Sequence, residues 1–226
     1  MRSVVEVVSA AESELLTTLA RVKRELNITD GKNDDLLNDK IAEASSDVAL
    51  AVGARLARET VKETFWHDEP EHLLDHHHRH GTPAQTTLFL TRRPEIEVLG
   101  VTLDDEPLDS ACWRIDPEAG LLDRLADGRP CAWRFCKSAV VSYSAGYTLP
   151  DAGEACTLPR AIEGAVVALV SSYWASRGRD PLLRAEEIPG VVSRQFWVGA
   201  VGDPQMLPPR ILASLDPIRR RLFAVA

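Results

Sequence analysis

No CxxC pair joins any of the four cysteines, Cys112, Cys131, Cys136 and Cys156, which removes the usual zinc and dithiol signatures and leaves reduced thiols in a cytoplasmic product as the expectation. No GxGxxG or Walker lysine loop occurs, excluding the main nucleotide-binding motifs, and no HExxH marks a zinc protease. Neither a secretory leader nor a membrane span is read. The longest apolar run, inside residues 157–174, is too short and too closely flanked by Arg160 and Arg177 to cross a bilayer. Basic charge is also short: the chain carries −8 with a pI near 5.3, so it lacks the broad basic face that gripping nucleic acid requires. No internal repeat is present.

What is present is 226 residues with 45% apolar content, enough to bury a sizeable core. Residues 157–174 form the organising stretch. Pro159 suits a helix start, Ile162, Val166, Leu169 and Tyr173 recur at helical spacing, and Ala165, Val167, Val170 and Trp174 supply a second apolar face. A helix apolar on most sides must be covered on most sides. Upstream, Ser9 and Glu12 have capping-box spacing ahead of the stripe Leu15, Leu19, Val22 and Leu26. After the break at Thr29-Asp30-Gly31, Asp34 and Asp35 open a second stripe through Leu37, Ile41, Ala44, Val48, Val52 and Leu56. The two helices make a hairpin. Val4 to Val8 suits a strand or an arm.

From Glu59 the period falls to two. Strand-like runs cover 59–66, 86–90, 96–103, 113–116, 121–125, 133–135 and 139–143, separated by turn residues such as Asp104-Asp105-Glu106-Pro107 and Asp127-Gly128-Arg129-Pro130. Residues 191–198 read as a further extended segment, and Pro209 opens a last helix, with a fresh start at Asp216-Pro217. The expected fold class is α+β: a helical hairpin, a central core helix and a C-terminal helix, with an inserted small antiparallel β sheet or sandwich. The expected division places 1–58 and 157–226 in the helical core and 59–156 in the β-rich insertion, which includes a His-rich loop at 67–85.

The histidines are the one constellation that suggests catalysis. All six lie between His67 and His80, and His72, His76 and His80 would share one face if the run were helical. Pro70 and Gly81 bracket the run and it is nearly devoid of apolar residues, so a solvated loop is the preferred reading and no metal site is assigned. Ser142-Tyr143-Ser144-Ala145-Gly146 lacks the leading glycine of a nucleophile elbow and reads as a strand entering a turn. Eight carboxylates between Asp104 and Asp127 face only Arg114 and Arg124, and turn acids explain them better than a catalytic pair. No catalytic residue and no cofactor are expected. Residues 207–226 carry Arg210, Arg219, Arg220 and Arg221 against Asp216, a net +3 that leaves −11 on the rest.

Several stretches together resemble the head-to-tail adaptor (connector) proteins of tailed bacteriophages and gene transfer agents. They are LLTTLARVKRELNI, NDDLLNDKIAEASSDV and ARETVKETFW, then LTRRPEIEVLGVTLDD, WRIDPEAGLL, VVSYSAGYTLP, LPRAIEGAVVALVSSYW and LPPRILASLDPIRR. The histidine-rich run departs from that pattern as an insertion. The resemblance implies a non-enzymatic structural protein of the virion neck, synthesised in the host cytoplasm. Such a protein forms a homo-oligomeric ring, typically of twelve copies, under the portal protein. The ring extends the DNA channel and offers a surface to the next neck or tail protein. Packaged double-stranded DNA would pass through without sequence-specific binding, and no membrane is involved. With the charge contrast, the resemblance places portal binding at Arg219, Arg220, Arg221, Leu222 and Phe223. Rival readings are a stopper or tail terminator, an acidic interaction domain, and a metal-dependent enzyme centred on the histidines.

Overall fold

The computed structural model describes residues 1–66, 85–134, 137–153, 155–177, 185–188, 192–195 and 207–223. The chain divides into two compact units, one built from residues 1–11 and 55–147, the other from 12–54 and 148–223. The fold is α+β, with four helices and antiparallel sheets among the described residues.

The helical unit holds α1 (Leu19–Leu26), α2 (Asp34–Val52), α3 (Arg160–Ser176) and α4 (Pro209–Phe223). The sequence stripe of α2 is buried as expected at Leu37, Ile41, Ala44, Val48 and Val52. Gly53 ends the helix in the left-handed region at φ 78°, its N–H donating to the Ala49 carbonyl. Helix α3 buries Ile162, Ala165, Val166, Val167, Leu169 and Val170, confirming it as apolar on more than one face. Its last turn is half-buried: Tyr173 donates to Asp47 on α2 at 2.8 Å, and the Arg177 guanidinium lies 3.3 Å from the Trp174 ring centre. Burial, then the Asp47 hydrogen bond, hold the Tyr173 hydroxyl well above its ordinary pKa.

Two boundaries differ from the expectation. Helix α1 starts at Leu19, not behind Ser9: Thr18 is the cap and accepts from the Arg21 N–H. The preceding segment is tied down in extended form, with the Leu16 N–H donating to Ser45 Oγ at 3.1 Å. Helix α4 is continuous through Pro217, with no second start. Pro217 removes only the donor to the Ala213 carbonyl, and Ala213 is exposed, so water can serve that oxygen. Strands β10 (Ala185–Ile188) and β11 (Val192–Gln195) pair as an antiparallel two-stranded sheet, as the extended reading of 191–198 anticipated over part of its length.

The β unit contains β1 (Arg2–Ser9), β2 (Glu59–Trp66), β3 (Thr87–Phe89), β4 (Glu97–Leu103), β5 (Glu106–Leu108), β6 (Trp113–Asp116), β7 (Leu121–Ala126), β8 (Arg129–Cys131) and β9 (Ala139–Ala145). Five strands form one sheet in the order β1-β2-β9-β4-β5. In the other, β7 is flanked by β6 on one side and by β3 and then β8 on the other. Residues from both sheets meet in one core, including Val61, Phe65, Val101, Val141 and Tyr143 from the first and Leu88 and Leu122 from the second, which is the sandwich arrangement. Trp133 completes it: its ring is buried and Nε1 donates to the Leu122 carbonyl at 3.2 Å.

Residues 2–9 were expected with the helical core but pair with β2, because their alternation matches it: Val5 and Val7 stand opposite Glu63 and Val61. Arg129-Pro130, expected as turn, is strand β8. Asp127 (φ 49°) and Gly128 (φ 73°) alone supply the two-residue reversal, and Asp104 (φ 52°) and Asp105 (φ 75°) do the same between β4 and β5. The expected strand at 133–135 is not one at Trp133 and Arg134, and Phe135 lies outside the described residues.

Candidate functional site

The site expected at the C-terminus is carried by α4. Ile211, Leu215 and Leu222 are buried in the helical unit, seven residues separating Leu215 from Leu222 and placing them on one face. Arg210, Arg220 and Arg221 are exposed and Arg219 is half-buried. Arg220 pairs with Asp216 one turn earlier at 2.6 Å, a solvent-facing pair worth about 0.3–0.5 kcal/mol. Leu222, only 4% exposed, belongs to the interior and is not a surface anchor, a correction to its expected role. The Phe223 side chain lies outside the described residues. What α4 can present to a partner is therefore guanidinium groups around small residues, Ala213 and Ser214 among them.

The other sequence candidates resolve as structure-building groups. Asp104 accepts from the backbone N–H groups of Lys137 and Ser138, and Asp105 pairs with Lys137 Nζ at 2.6 Å. Asp109 accepts from the Ala111 N–H, and Asp116 from the N–H groups of Glu118 and Ala119. Asp123 accepts from the Thr87 hydroxyl at 2.6 Å and from Arg114 at 3.3 Å. These are turn and cross-strand roles, not a paired acid and base. Ser142 and Ser144 sit within β9, and Ser144 accepts from Arg58 at 3.0 Å, so no nucleophile elbow exists there. His72, His76 and His80 lie outside the described residues. No group of His, Cys, Asp and Glu suited to a metal ion occurs among the described residues, and no described helix is long and apolar enough to cross a membrane.

One constellation went unnoticed in the sequence. Glu63 is completely buried, and its carboxylate accepts four hydrogen bonds: from the Ser3 hydroxyl (2.7 Å), the Thr91 N–H (3.0 Å), the Thr91 hydroxyl (2.7 Å) and the Tyr143 hydroxyl (2.8 Å). The Tyr143 oxygen in turn accepts from the Arg92 N–H at 3.1 Å. Burial first, and the Glu63 charge second, push the Tyr143 hydroxyl far above its ordinary pKa. Arg92 pairs with the largely buried Glu59 at 2.7 Å. With four hydrogen bonds accepted by its two oxygens, the carboxylate is a clamp that joins β1, β2, β9 and the segment after β3. Its signal was legible: Glu63 occupies an inward position of the two-residue period between Val61 and Phe65.

The described residues thus hold a basic C-terminal helix, acids absorbed into turns and a buried carboxylate fully engaged in hydrogen bonds. Residues 16–77 match the family described as phage gp6-like head-tail connector protein. The matching segment takes in α1, α2 and β2. No curated protein matches it. Among solved structures, the chain is similar to one in the neck of an empty gene transfer agent (GTA) particle computed with C6 symmetry, at 16% identity and a TM-score of 0.49, over 82% of this chain and 89% of that one. It is also similar to a chain in the virion of the native GTA particle, at 15% identity and a TM-score of 0.47, over 82% and 89%. A third similarity is to a chain in the neck of the native particle computed with C12 symmetry, at 16% identity and a TM-score of 0.46, over 82% and 88%.

Proposed function

We propose that this protein is a structural, non-catalytic head-to-tail adaptor of a phage-like virion neck. It assembles as a ring, typically of twelve copies, under the portal protein, extends the channel for double-stranded DNA and offers the next neck or tail protein a seat. The observation that carries the reading is the connector match over residues 16–77. A ring requires heterologous edges, one face of a copy meeting a different face of the next. Charge supports the division of labour: the net −11 outside residues 207–226 would repel DNA phosphates and let the duplex slide, while the arginines of α4 meet the portal.

Co-expression with the portal protein tests this. The expected result is a ring of this chain seen on the portal. Deleting residues 217–226 would also remove buried Leu222, so the cleaner variant is the triple substitution Arg219→Glu, Arg220→Glu and Arg221→Glu, which should abolish capture by the portal with the fold retained. Undiminished capture would overturn the α4 assignment. Capture only by a preassembled portal and adaptor complex would instead indicate a stopper, and a turnover reaction lost on changing one histidine would indicate an enzyme.

A further inference from the structure

Helix α3 is buried along most of its girth, and the face it leaves exposed is made of small residues: Ala161, Gly164, Ala168, Ser172 and Ala175. Their spacings of three and four residues line them up along about 21 Å of helix. An exposed helix face is ordinarily built of charged side chains. Gly164 adds an independent observation. Glycine weakens a helix interior relative to alanine, yet a Cβ at Gly164 would meet nothing within 4 Å and its φ is not positive. Neither its backbone nor its packing within the chain calls for glycine. A groove kept shallow at that cost suits a neighbour that comes close.

The outer face of α2 has the opposite character. Leu36, Asp39, Glu43, Ser46 and Leu50 are exposed at the same spacings, and Leu50, at 77%, is more exposed than any other large apolar side chain among the described residues. Large side chains on one helix and small ones on another, at matched spacing, pack as knobs into holes. Charge sets the direction. Asp35 and Asp39 are exposed near the start of α2, while α3 has exposed Arg160 at its start and exposed Arg177 at its end. Laid antiparallel, Leu36 falls at Ala175 and Leu50 at Ala161, beside the notch at Gly164. Asp35 and Asp39 then reach Arg177, and Arg160 meets the carbonyl end of α2, where the helix dipole is negative. Stacking on Trp174 engages the face of the Arg177 guanidinium, and its N–H groups lie in the plane. Parallel packing would instead set like ends of the two dipoles side by side.

We propose that α2 of one copy packs antiparallel on α3 of the next, with Leu50 seated between Ala161 and Gly164, and that this is the contact between neighbours in the ring. The proposal rests on the adaptor reading for the ring itself and supplies the heterologous edges a ring requires, one face of a copy against a different face of the next. One helix laid on another buries less than the ~1,200–2,000 Å² of a stable complex, so a single contact is transient and ring closure makes it persist.

The test is disulfide trapping in a Cys156→Ser background, which removes the exposed cysteine, on concentrated protein without the portal. Mixing Leu50→Cys protein with Ala161→Cys protein should yield covalent heterodimer on mild oxidation, while either variant alone stays at background. Leu50→Cys mixed with Ala175→Cys should also stay at background, because Ala175 lies about 21 Å from Ala161 along α3. Adding Asp39→Lys to the Leu50→Cys chain should cut the heterodimer about fivefold, and adding Arg177→Glu to the Ala161→Cys chain should restore it. Adding Gly164→Leu to the Ala161→Cys chain should abolish trapping with Tm unchanged or raised, since the new side chain enters open space. Trapping at Ala175, none at Ala161, or trapping that survives Gly164→Leu would each overturn the proposal. Portal capture is scored separately and bears only on the adaptor reading.

Discussion

The two units hold themselves together by different means. In the helical unit the stabilising groups are apolar and spread along four helices, and polar contacts such as Lys23 to Asp34 (2.7 Å) and Tyr173 to Asp47 lie at its margins. In the β unit a charged group sits at 0% exposure among the core residues, and one glycine is hemmed in by backbone. Distributed apolar packing loses stability in proportion to the volume removed. A sheet unit pinned at a few unusual positions fails abruptly at those positions and tolerates change elsewhere.

The largest effect should come from Gly146→Val. Gly146 has φ +108°, and a Cβ there would lie 2.4 Å from the Ala57 carbonyl oxygen, so the variant is expected to lose about 4 kcal/mol in urea unfolding followed by tryptophan fluorescence. Leu169→Ala on α3 should cost about 3 kcal/mol through the cavity it leaves, with the loss seen in helical circular dichroism. Glu63→Gln should cost about 2 kcal/mol, because an amide turns its N–H groups toward hydroxyl and backbone donors already aimed at the carboxylate. If it costs less than the error of the measurement, the clamp is not what pins the sheet.

The pH dependence sharpens the same contrast. Tyr143 and Tyr173 have pKa values raised in the folded chain, so their contribution is fully present below the unfolded value of about 10 and is lost as pH rises through the folded values. Thermal unfolding between about pH 9 and pH 11 should show falling Tm, and Tyr143→Phe should flatten that fall while lowering the plateau near neutrality. The smallest effect is expected at Arg220→Ala, no more than about 0.5 kcal/mol, since its ion pair faces solvent.

What could be read without coordinates follows the same division. The stripes of α2 and α3 declared themselves, because buried positions on a helix recur at a fixed spacing and few alternatives compete. Helix α1 was misplaced at its start because Ser9 and Thr18 are equally able to cap, and the choice is made by a distant contact, Leu16 to Ser45. The β8 strand was hidden because Asp127-Gly128 already completes the reversal, which leaves Arg129-Pro130 free to pair although both look like turn residues. Of the expected contact residues, periodicity alone shows that Leu215 and Leu222 share a face, so the burial of Leu222 was legible. Which partner meets the arginines depends on neighbours that a single chain does not encode.

At the foot of the β unit, the chain's way in and way out are stitched side by side. Arg58 donates its N–H to the Tyr147 carbonyl, Tyr147 donates to the Leu56 carbonyl, and Ala57 bridges to Tyr147 in parallel. Nearly ninety residues thus depart and return through a gap about one strand spacing wide, roughly 5 Å. Whatever is grafted between those stitches, longer, shorter or of another kind, leaves the two helical segments they connect with the same separation to span.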